Sequence, residues 1–185
     1  MEIKHTNDPK EFEDYANECL SGHEGAVIHL TESPCVWVGL LDDVYDQEEC
    51  KKHNLSVHQG HYYAGAIVNM PDDVSICITT WGNTTIGYDI CQAVKNLLIG
   101  KNIEVAEDVN DILADGKKVA SYCSVMQVSG WCQTVVHISV GKMDIDLVKA
   151  ICKKPMIKIP GSLSEYGITS DDIIPVVQNI LRGLK

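Results

Sequence analysis

Arginine is almost absent from this sequence, since Arg182 is the only one among 15 basic residues, which face 26 acidic residues. The net charge of −11 argues against a general nucleic-acid binder, because displacing counterions from a phosphate backbone requires a basic surface. Lysine can hold a phosphate or a carboxylate only as a point charge, without the planar fork of arginine. Any anion site in this chain must therefore rest on lysines.

The sequence also lacks CxxC pairs and long apolar runs. Its eight cysteines are spread singly, so a zinc knuckle is not expected, and most lie in segments where free cysteine acts as a small hydrophobic residue. No basic N-terminal region precedes an apolar stretch, and no stretch is long enough to span a membrane. These features predict a cytoplasmic protein that binds neither membrane nor nucleic acid.

Length and apolar periodicity predict one domain spanning residues 1–185. Capping residues and helical periodicity predict helices from the Asp8-Pro9 pair to Gly22, over 46–53, 88–98 and 144–152, and from about 170. Strands are predicted at 26–30, 35–39, both ends of 55–70, 74–81 and four times within 103–140. Asp-Gly and Ser-Gly hairpin turns join consecutive strands. The predicted fold class is α+β, with a mixed, mostly antiparallel sheet packed by helices.

The segment NDILADGKKVAS, residues 110–121, carries the strongest functional signal. Taken alone, its Asp-Gly turn with two lysines is typical of an exposed, solvated hairpin. The whole string, however, resembles the signature Asn-Asp-(apolar)-x-x-(Asp/Asn)-Gly-(Arg/Lys)-Lys-(apolar)-(Ser/Ala)-Gly of the biotin/lipoate protein ligase family. Only the closing glycine departs from it, replaced by Ser121. The resemblance implies that Lys118 is the catalytic lysine, which contacts an acyl-adenylate.

The chemistry implied for Lys118 is physically coherent. Acyl transfer builds negative charge on carbonyl and phosphate oxygens, and a lysine held by a tight turn is a fixed positive charge that can face them. By the same resemblance, Asn110 and Asp111 are expected to position nucleotide or metal. Gly65 and Ala66 are expected to end the ligand-binding loop, where glycine allows close backbone approach.

The resemblance covers most of the chain, through CVWVG, TVVHIS followed by DIDLVKAI, and LSEYGIT before the last helix. It implies the catalytic-domain fold of that family, without the accessory C-terminal domain that many lipoate ligases carry. It further implies lipoate or octanoate as the small acyl ligand, ATP and Mg²⁺ as co-substrates, and no tightly bound cofactor. The expected protein partners are a lipoyl-carrier protein or domain and an accessory subunit.

Residues 57–70 depart from the family pattern. Lipoate ligases carry Arg-Arg-x-Ser-Gly-Gly-Gly-Ala-Val, whose glycines admit a ligand and whose arginines hold its phosphate or carboxylate. Here the segment is VHQGHYYAGAIVNM, so both devices are missing.

Two interpretations of this departure stay open. In the first, the loop is a remodelled ligand site in which His58 and His61 donate hydrogen bonds, with Gln59 beside them and Tyr63 in the pocket wall. In the second, the pocket has been filled and its chemistry lost. No metal site is expected, because the two histidines lack a third ligand nearby.

Cys152 is a second candidate for chemistry. It lies about as far beyond Lys118 as the thioester-forming cysteine of the related octanoyltransferases lies beyond their motif lysine. The adjacent Lys153 and Lys154 would lower the pKa of its thiol and favour the nucleophilic thiolate. The alternative is a purely structural cysteine.

The leading functional hypothesis is lipoate-protein ligase-like acyl transfer to a carrier lysine, through an acyl-adenylate held by Lys118. A non-catalytic relative that binds an acyl ligand or a partner protein is one alternative, favoured by the missing arginines. An ATP-independent octanoyl or lipoyl transferase that uses Cys152 is the other.

Overall fold

The structure is a computed structural model that describes residues 1–39, 44–60, 65–154 and 156–184. Its elements follow in chain order as β1 Glu2–Thr6, α1 Pro9–Leu20, β2 Gly25–Leu30, β3 Cys35–Val38, α2 Gln47–Lys52, β4 Ser56–Gln59, β5 Ala66–Asn69, β6 Val74–Trp81, α3 Ile86–Gly100, β7 Val105–Asp108, β8 Asp111–Ala114, β9 Lys117–Met126, β10 Trp131–Ile138, α4 Ile145–Ile151 and α5 Ser170–Gly183, with a 3-10 helix Leu163–Tyr166 before α5.

The helices begin where local capping signals predict. Asp8, Asp46 and Asp144 each accept a hydrogen bond from a first-turn N–H of α1, α2 and α4. Thr169 and Asp172 form the predicted capping box of α5. The sequence missed β1, a short edge strand, and placed the start of α3 two residues too late.

Two sheets form the β-structure. The larger has the order β1-β2-β6-β10-β9-β8-β7 and is antiparallel except for the β1–β2 pair. The smaller has the order β4-β3-β5, in which β3 pairs in parallel with β4 and antiparallel with β5. The predicted α+β class with a mixed, mostly antiparallel sheet is therefore confirmed. The short turn after β2 leads into the other sheet, so β2 and β3 do not form a hairpin.

Three clusters of buried side chains lie between the helices and the two sheets. One face of the larger sheet packs against α3 and α5, and its other face packs against α1 and β3. The outer face of the smaller sheet is covered by α2 and α4. The two sheets thus face each other, which leaves room for a cavity between them. None of the described helices is long and apolar enough to cross a membrane.

The close packing of α3 on the larger sheet generates a test of the fold. A Cβ added at Gly87 would lie 2.6 Å from Tyr122 Cδ2 and 2.8 Å from Thr134 Cγ2. We expect Gly87→Ala to lower the free energy of unfolding by about 1–3 kcal/mol through overpacking. Gly100→Ala is the matched control, because nothing lies within 4 Å of that site, and alanine favours helix. Equal midpoints in urea unfolding for the two variants would contradict this packing.

Candidate functional site

A cavity of about 500 Å³ lies between the larger sheet and β5. It gathers residues from distant parts of the sequence, including most of the predicted site residues. Those that line it are Gly65, Ala66, Asn110, Asp111, Lys118 and Cys152.

Strand register builds a polar row along this cavity. Ser75 on β6 faces His137 on β10, which faces Ser121 on β9, which in turn faces Asp111 on β8. Paired residues of neighbouring strands share a face of the sheet. The row therefore crosses four strands on the side that borders the cavity, and all four residues line it.

A β-bulge brings Lys118 to the same face. In a regular strand Lys118 and Ser121, three positions apart, would point to opposite sides. The register shifts between Ile112 and Leu113, so that Leu113 pairs with Lys118. The extra residue, Val119, joins Ala120 in the core beneath α3 and α5, and Lys118 turns toward the cavity. Bulges often re-aim side chains beside functional sites.

Asp111 holds two lysines at the open end of the cavity. Its Oδ1 lies 2.9 Å from Lys118 Nζ, and its Oδ2 lies 2.5 Å from Lys158 Nζ. Lys158 also reaches Asp108 Oδ2 at 2.8 Å, and these two carboxylates raise the pKa of its ammonium group. Lys117, in contrast, pairs with Glu165 at 2.6 Å and does not line the cavity.

The sequence analysis missed Lys158. It lies in the Lys/Pro-rich connector 153–160, which has no periodicity to indicate what it faces. Its segment runs beside β9, because Lys118 N–H donates to the Ile159 carbonyl and Gly161 N–H donates to the Lys118 carbonyl, both at 2.8 Å. Only this tertiary pairing reveals a second ammonium group in the site.

The hairpin between β7 and β8 positions the carboxylates of Asp108 and Asp111. Asp108 and Asp111 face each other across a two-residue turn, and Val109 at its first position has a φ of 60°, which is strained for a β-branched residue. Asn110 Nδ2 donates to the Tyr122 carbonyl. Asn110 therefore ties the turn to β9.

The ion pairs of Asp111 do not favour the binding of a metal ion. Both oxygens of Asp111 accept from lysines, and the described residues contain no group of three or more His, Cys, Asp or Glu side chains placed to hold a metal. Magnesium prefers a carboxylate with free oxygens. The expectation that Asp111 receives a metal thus does not fit its contacts, since both of its oxygens hold lysines.

The residues predicted from the loop segment fall into three groups: two line the cavity, two do not, and two lie outside the described residues. Gly65 and Ala66 line the cavity, although a Cβ at Gly65 would meet only Val44 at 3.9 Å, so the fold itself does not require glycine there. His58 and Gln59 do not line the cavity, which corrects the prediction for them.

The position of β4 explains this correction. The strand lies on the far side of β3 from β5, so it is separated from the cavity. His58 hydrogen-bonds to Ser56 Oγ at 2.9 Å, and Gln59 Nε2 donates to the Gly39 carbonyl at 2.9 Å. His61 and Tyr63 lie outside the described residues.

Cys152 lines the cavity, but the pKa of its thiol is not lowered as the sequence suggested. Burial, followed by the charge of Cys50, raises the pKa of its thiol, whereas the sequence suggested that neighbouring lysines would lower it. The cause is its position at the end of α4, where it packs against the core formed with β3 and α2. A raised pKa reduces the thiolate fraction.

His137 lies in the middle of the polar row and is buried. Its Nδ1 lies 3.3 Å from Ser75 Oγ and its Nε2 lies 3.2 Å from Ser139 Oγ. Burial, aided by the charge of Lys118, lowers the pKa of His137 to about 3, so the ring is neutral.

Asp73 is buried beside the polar row. It accepts hydrogen bonds from the backbone N–H groups of Met70, Val140 and Gly141 at 2.8–2.9 Å. Burial raises the pKa of Asp73 to about 7, against the opposing effect of these donors. Its role is to join β5, β6 and the end of β10, where the two sheets meet.

No protein-family model matches this sequence, and no curated protein resembles it significantly. Solved structures do resemble it. Protein Ta0514 from T. acidophilum, solved with bound lipoic acid, has a TM-score of 0.73 and 14% identity, over 97% of this chain and 82% of that one. Lipoate-protein ligase A bound with ATP has a TM-score of 0.71 and 15% identity, over 97% and 81%.

A third similar structure comes from an archaeal lipoylation system that comprises a bi-partite lipoate protein ligase and its E2 lipoyl domain from Thermoplasma acidophilum. It has a TM-score of 0.71 and 11% identity, over 97% of this chain and 81% of that one. These similarities establish the fold. The chain has the catalytic-domain fold of lipoate-protein ligases, which confirms the fold implied by the sequence resemblance.

The buried state of His137 predicts a specific acid sensitivity. Its pKa is about 3 in the folded protein and about 6.5 in an unfolded chain. The stabilisation from keeping it neutral is complete above pH 6.5 and is lost as the pH falls toward 3. We expect the free energy of unfolding to fall more steeply between pH 7 and pH 4 for the wild type than for His137→Gln. Parallel curves from denaturant titrations at each pH would contradict this assignment.

Proposed function

We propose that this chain binds a small carboxylic acid in the cavity and transfers its acyl group to a lysine of a carrier protein. The observation that carries the proposal is the position of Lys118, whose ammonium group is held at 2.9 Å from Asp111 at the open end of the cavity. The fold is that of enzymes solved with lipoic acid and with ATP, which supports the same class of ligand here.

The charges at the two ends of the cavity determine in which direction the acid binds. Lys118 and Lys158 retain partial exposure, whereas Ser75 and His137 at the other end of the polar row are buried. A carboxylate is therefore bound by the ammonium groups, and its hydrocarbon chain enters the cavity. Asp111 keeps both lysines in place before the ligand arrives, which reduces the entropy lost when they bind it.

The transfer step needs an activated carbonyl. Attack of a carboxylate oxygen on the α-phosphorus of ATP would form an acyl-adenylate as the bond from that phosphorus to pyrophosphate breaks, and AMP is then the leaving group. The unprotonated amine of an acceptor lysine attacks the carbonyl carbon and forms the C–N bond. The bond from that carbon to the phosphate oxygen then breaks, and the amine proton passes to solvent. Lys118 stabilises the negative charge that develops on the carbonyl oxygen, as a fixed cation in an oxyanion site does.

Lys158 is proposed to take over part of the role of the missing arginines. The sequence has no arginine near the site, yet a leaving phosphate carries charge that must be neutralised. Lys158 contacts Oδ2 of Asp111, whereas Lys118 contacts Oδ1. The two ammonium groups can therefore bind different oxygens of one activated acyl group.

The acceptor is proposed to be a lipoyl-type carrier domain. A structure of this fold belongs to a lipoylation system with a bi-partite lipoate protein ligase and its E2 lipoyl domain, which supports both a carrier and an accessory subunit as partners. An acceptor lysine is uncharged on attack, so it can approach the lysine-rich mouth without charge repulsion.

Binding without catalysis is the second candidate function. It is favoured by the ion pairs of Asp111, which neutralise Lys118 and Lys158 in the absence of ligand. It is also favoured by the loss of the glycine-rich loop. On this hypothesis the cavity holds an acyl ligand or its carrier-bound form, and no covalent step follows.

Lys118 and its neighbour form a matched pair for testing the proposal. We expect Lys118→Ala to reduce acylation of a lipoyl-carrier domain by about 10²–10³-fold, the usual effect of removing one charge-stabilising donor. Lys117→Ala should leave the rate nearly unchanged, because that lysine pairs with Glu165 outside the cavity. The measurement is mass spectrometry of the carrier after incubation with ATP and lipoate or octanoate.

The outcomes of this assay separate the two candidates. Equal activity of both variants would contradict the role of Lys118. Absence of carrier acylation in the wild type, together with measurable binding of octanoate, would favour the binding protein.

Cys152 provides the test of the ATP-independent route. Because burial raises the pKa of its thiol, we expect Cys152→Ala to retain most of the ATP-dependent activity and no thioester to form on the wild-type protein. The measurement is intact-protein mass spectrometry after mixing with an octanoylated acyl-carrier protein. An added octanoyl mass that is absent from Cys152→Ala would instead establish a cysteine-dependent transferase.

A further inference from the structure

Lys158 differs from Lys118 in how many of its N–H groups the protein already uses. Three protein acceptors surround the Lys158 ammonium group: Asp111 Oδ2 at 2.5 Å, Asp108 Oδ2 at 2.8 Å and the Asp108 carbonyl at 3.4 Å. An ammonium group carries three N–H donors, so none is left for a ligand. Among the described residues Lys118 has a single ionic partner, Asp111 at 2.9 Å, and it therefore keeps free donors.

The two carboxylates on Lys158 differ in burial. The Asp111 side chain is 9% exposed and also holds Lys118, whereas the Asp108 side chain is 52% exposed. Releasing a buried carboxylate would leave its charge unpaired at a high cost. An exposed carboxylate is rehydrated when it leaves, and exposed ion pairs contribute little to stability. Asp108 is thus the partner that Lys158 can exchange.

Lys158 does not depend on Asp108 for its position. Lys118 N–H donates to the Ile159 carbonyl at 2.8 Å, which holds the segment of Lys158 beside β9. Asp111, which lines the cavity together with Lys158, supplies the shortest contact to its ammonium group. Asp108 is not part of the cavity lining. Its release therefore leaves Lys158 at the cavity mouth with donors available.

The charges of this cluster also favour an exchange. The two lysines carry two positive charges, and Asp108 and Asp111 carry two negative charges, so the four side chains are neutral together. A carboxylate that joined them without displacing any group would give the cluster a net negative charge. If one of its oxygens replaces the Asp108 carboxylate on Lys158, the charge around the ligand stays balanced.

We propose that Asp108 determines the affinity of the cavity mouth for anions, as an internal competitor that occupies Lys158 until a ligand oxygen takes its place. A carboxylate binds first to the free donors of Lys118, and one of its oxygens then displaces Asp108 from Lys158. Asp108 acts through Lys158 and does not touch the ligand. This inference rests on the proposed function for the class of ligand, a small carboxylic acid, but not for the contact between Asp108 and Lys158.

Binding of octanoate to a variant without this charge tests the exchange. Asp108→Asn removes the charge of the competitor at the same size, so we expect calorimetric titration to give an affinity about three- to tenfold higher than that of the wild type. A variant that merely loosened the site would bind octanoate more weakly. The gain should shrink when the salt concentration is raised to about 0.5 M, because it arises from a partly exposed ammonium group.

Two further variants separate the exchange from a general change of charge. Glu165→Gln breaks another partly exposed ion pair, that with Lys117 at 2.6 Å, and Lys117 does not line the cavity. It should bind octanoate as the wild type does. Asp108→Glu retains a carboxylate that can reach Lys158, so it should restore the wild-type affinity.

Amine labelling tests the contact without any ligand. Asp108, followed by Asp111, raises the pKa of Lys158, so the unprotonated amine that reacts with acetic anhydride is scarce. We expect Asp108→Asn to increase the acetylation of Lys158 relative to that of Lys117, because the weaker acceptor stabilises the ammonium form less. The measurement is peptide mass spectrometry after brief labelling of the folded protein.

Each outcome bears on a different conclusion. An unchanged or lower affinity of Asp108→Asn for octanoate would overturn the inference and leave the proposed acyl transfer standing. An equal gain in Glu165→Gln would assign the effect to net charge and would also overturn it. If octanoate binds neither the wild type nor the variants, the proposed function is contradicted. The labelling then decides, since increased acetylation of Lys158 supports its occupation by Asp108 and unchanged acetylation contradicts it.

Discussion

The site depends on one carboxylate, that of Asp111, which holds Lys118 and Lys158 at once. Without it, two ammonium groups would lie close together at the edge of a low-dielectric cavity and repel each other. The carboxylate is itself largely buried, and a buried charge persists only when it is paired and hydrogen-bonded. The ion pairs therefore stabilise both partners and fix where any anionic ligand can bind.

The larger sheet gives this charged cluster its direction. Register carries a line of polar side chains from Asp111 across Ser121 and His137 to Ser75, and the bulge opposite Leu113 adds Lys118 to the same face. The cavity is consequently cationic at its open end and neutral but hydrogen-bonding at its closed end. A chain molecule with a carboxylate at one end matches this polarity.

Much of the fold could be predicted from the sequence because the signals are local. An aspartate or threonine at the right position caps each of α1, α2, α4 and α5, and Asp115-Gly116 adopts positive φ at both positions, as a type I′ hairpin requires. The edge strand β1 was missed because its five residues, three exposed and two half-buried, show no clear alternation. The positions of His58 and Gln59 were mispredicted, because closeness in sequence to a pocket loop does not reveal on which side of β3 the strand β4 lies.

The sequence by itself determined the capped helices, the hairpin that ends in Lys118, the scarcity of arginine and hence the reliance on lysine for any anion site. Only the tertiary structure decided that Lys158, from an aperiodic connector, joins Lys118 on one carboxylate, and that the polar row from Asp111 to Ser75 lines the same cavity. The reason is physical: capping and turn formation act within a few residues, whereas both of these placements depend on pairing between segments that are distant in sequence.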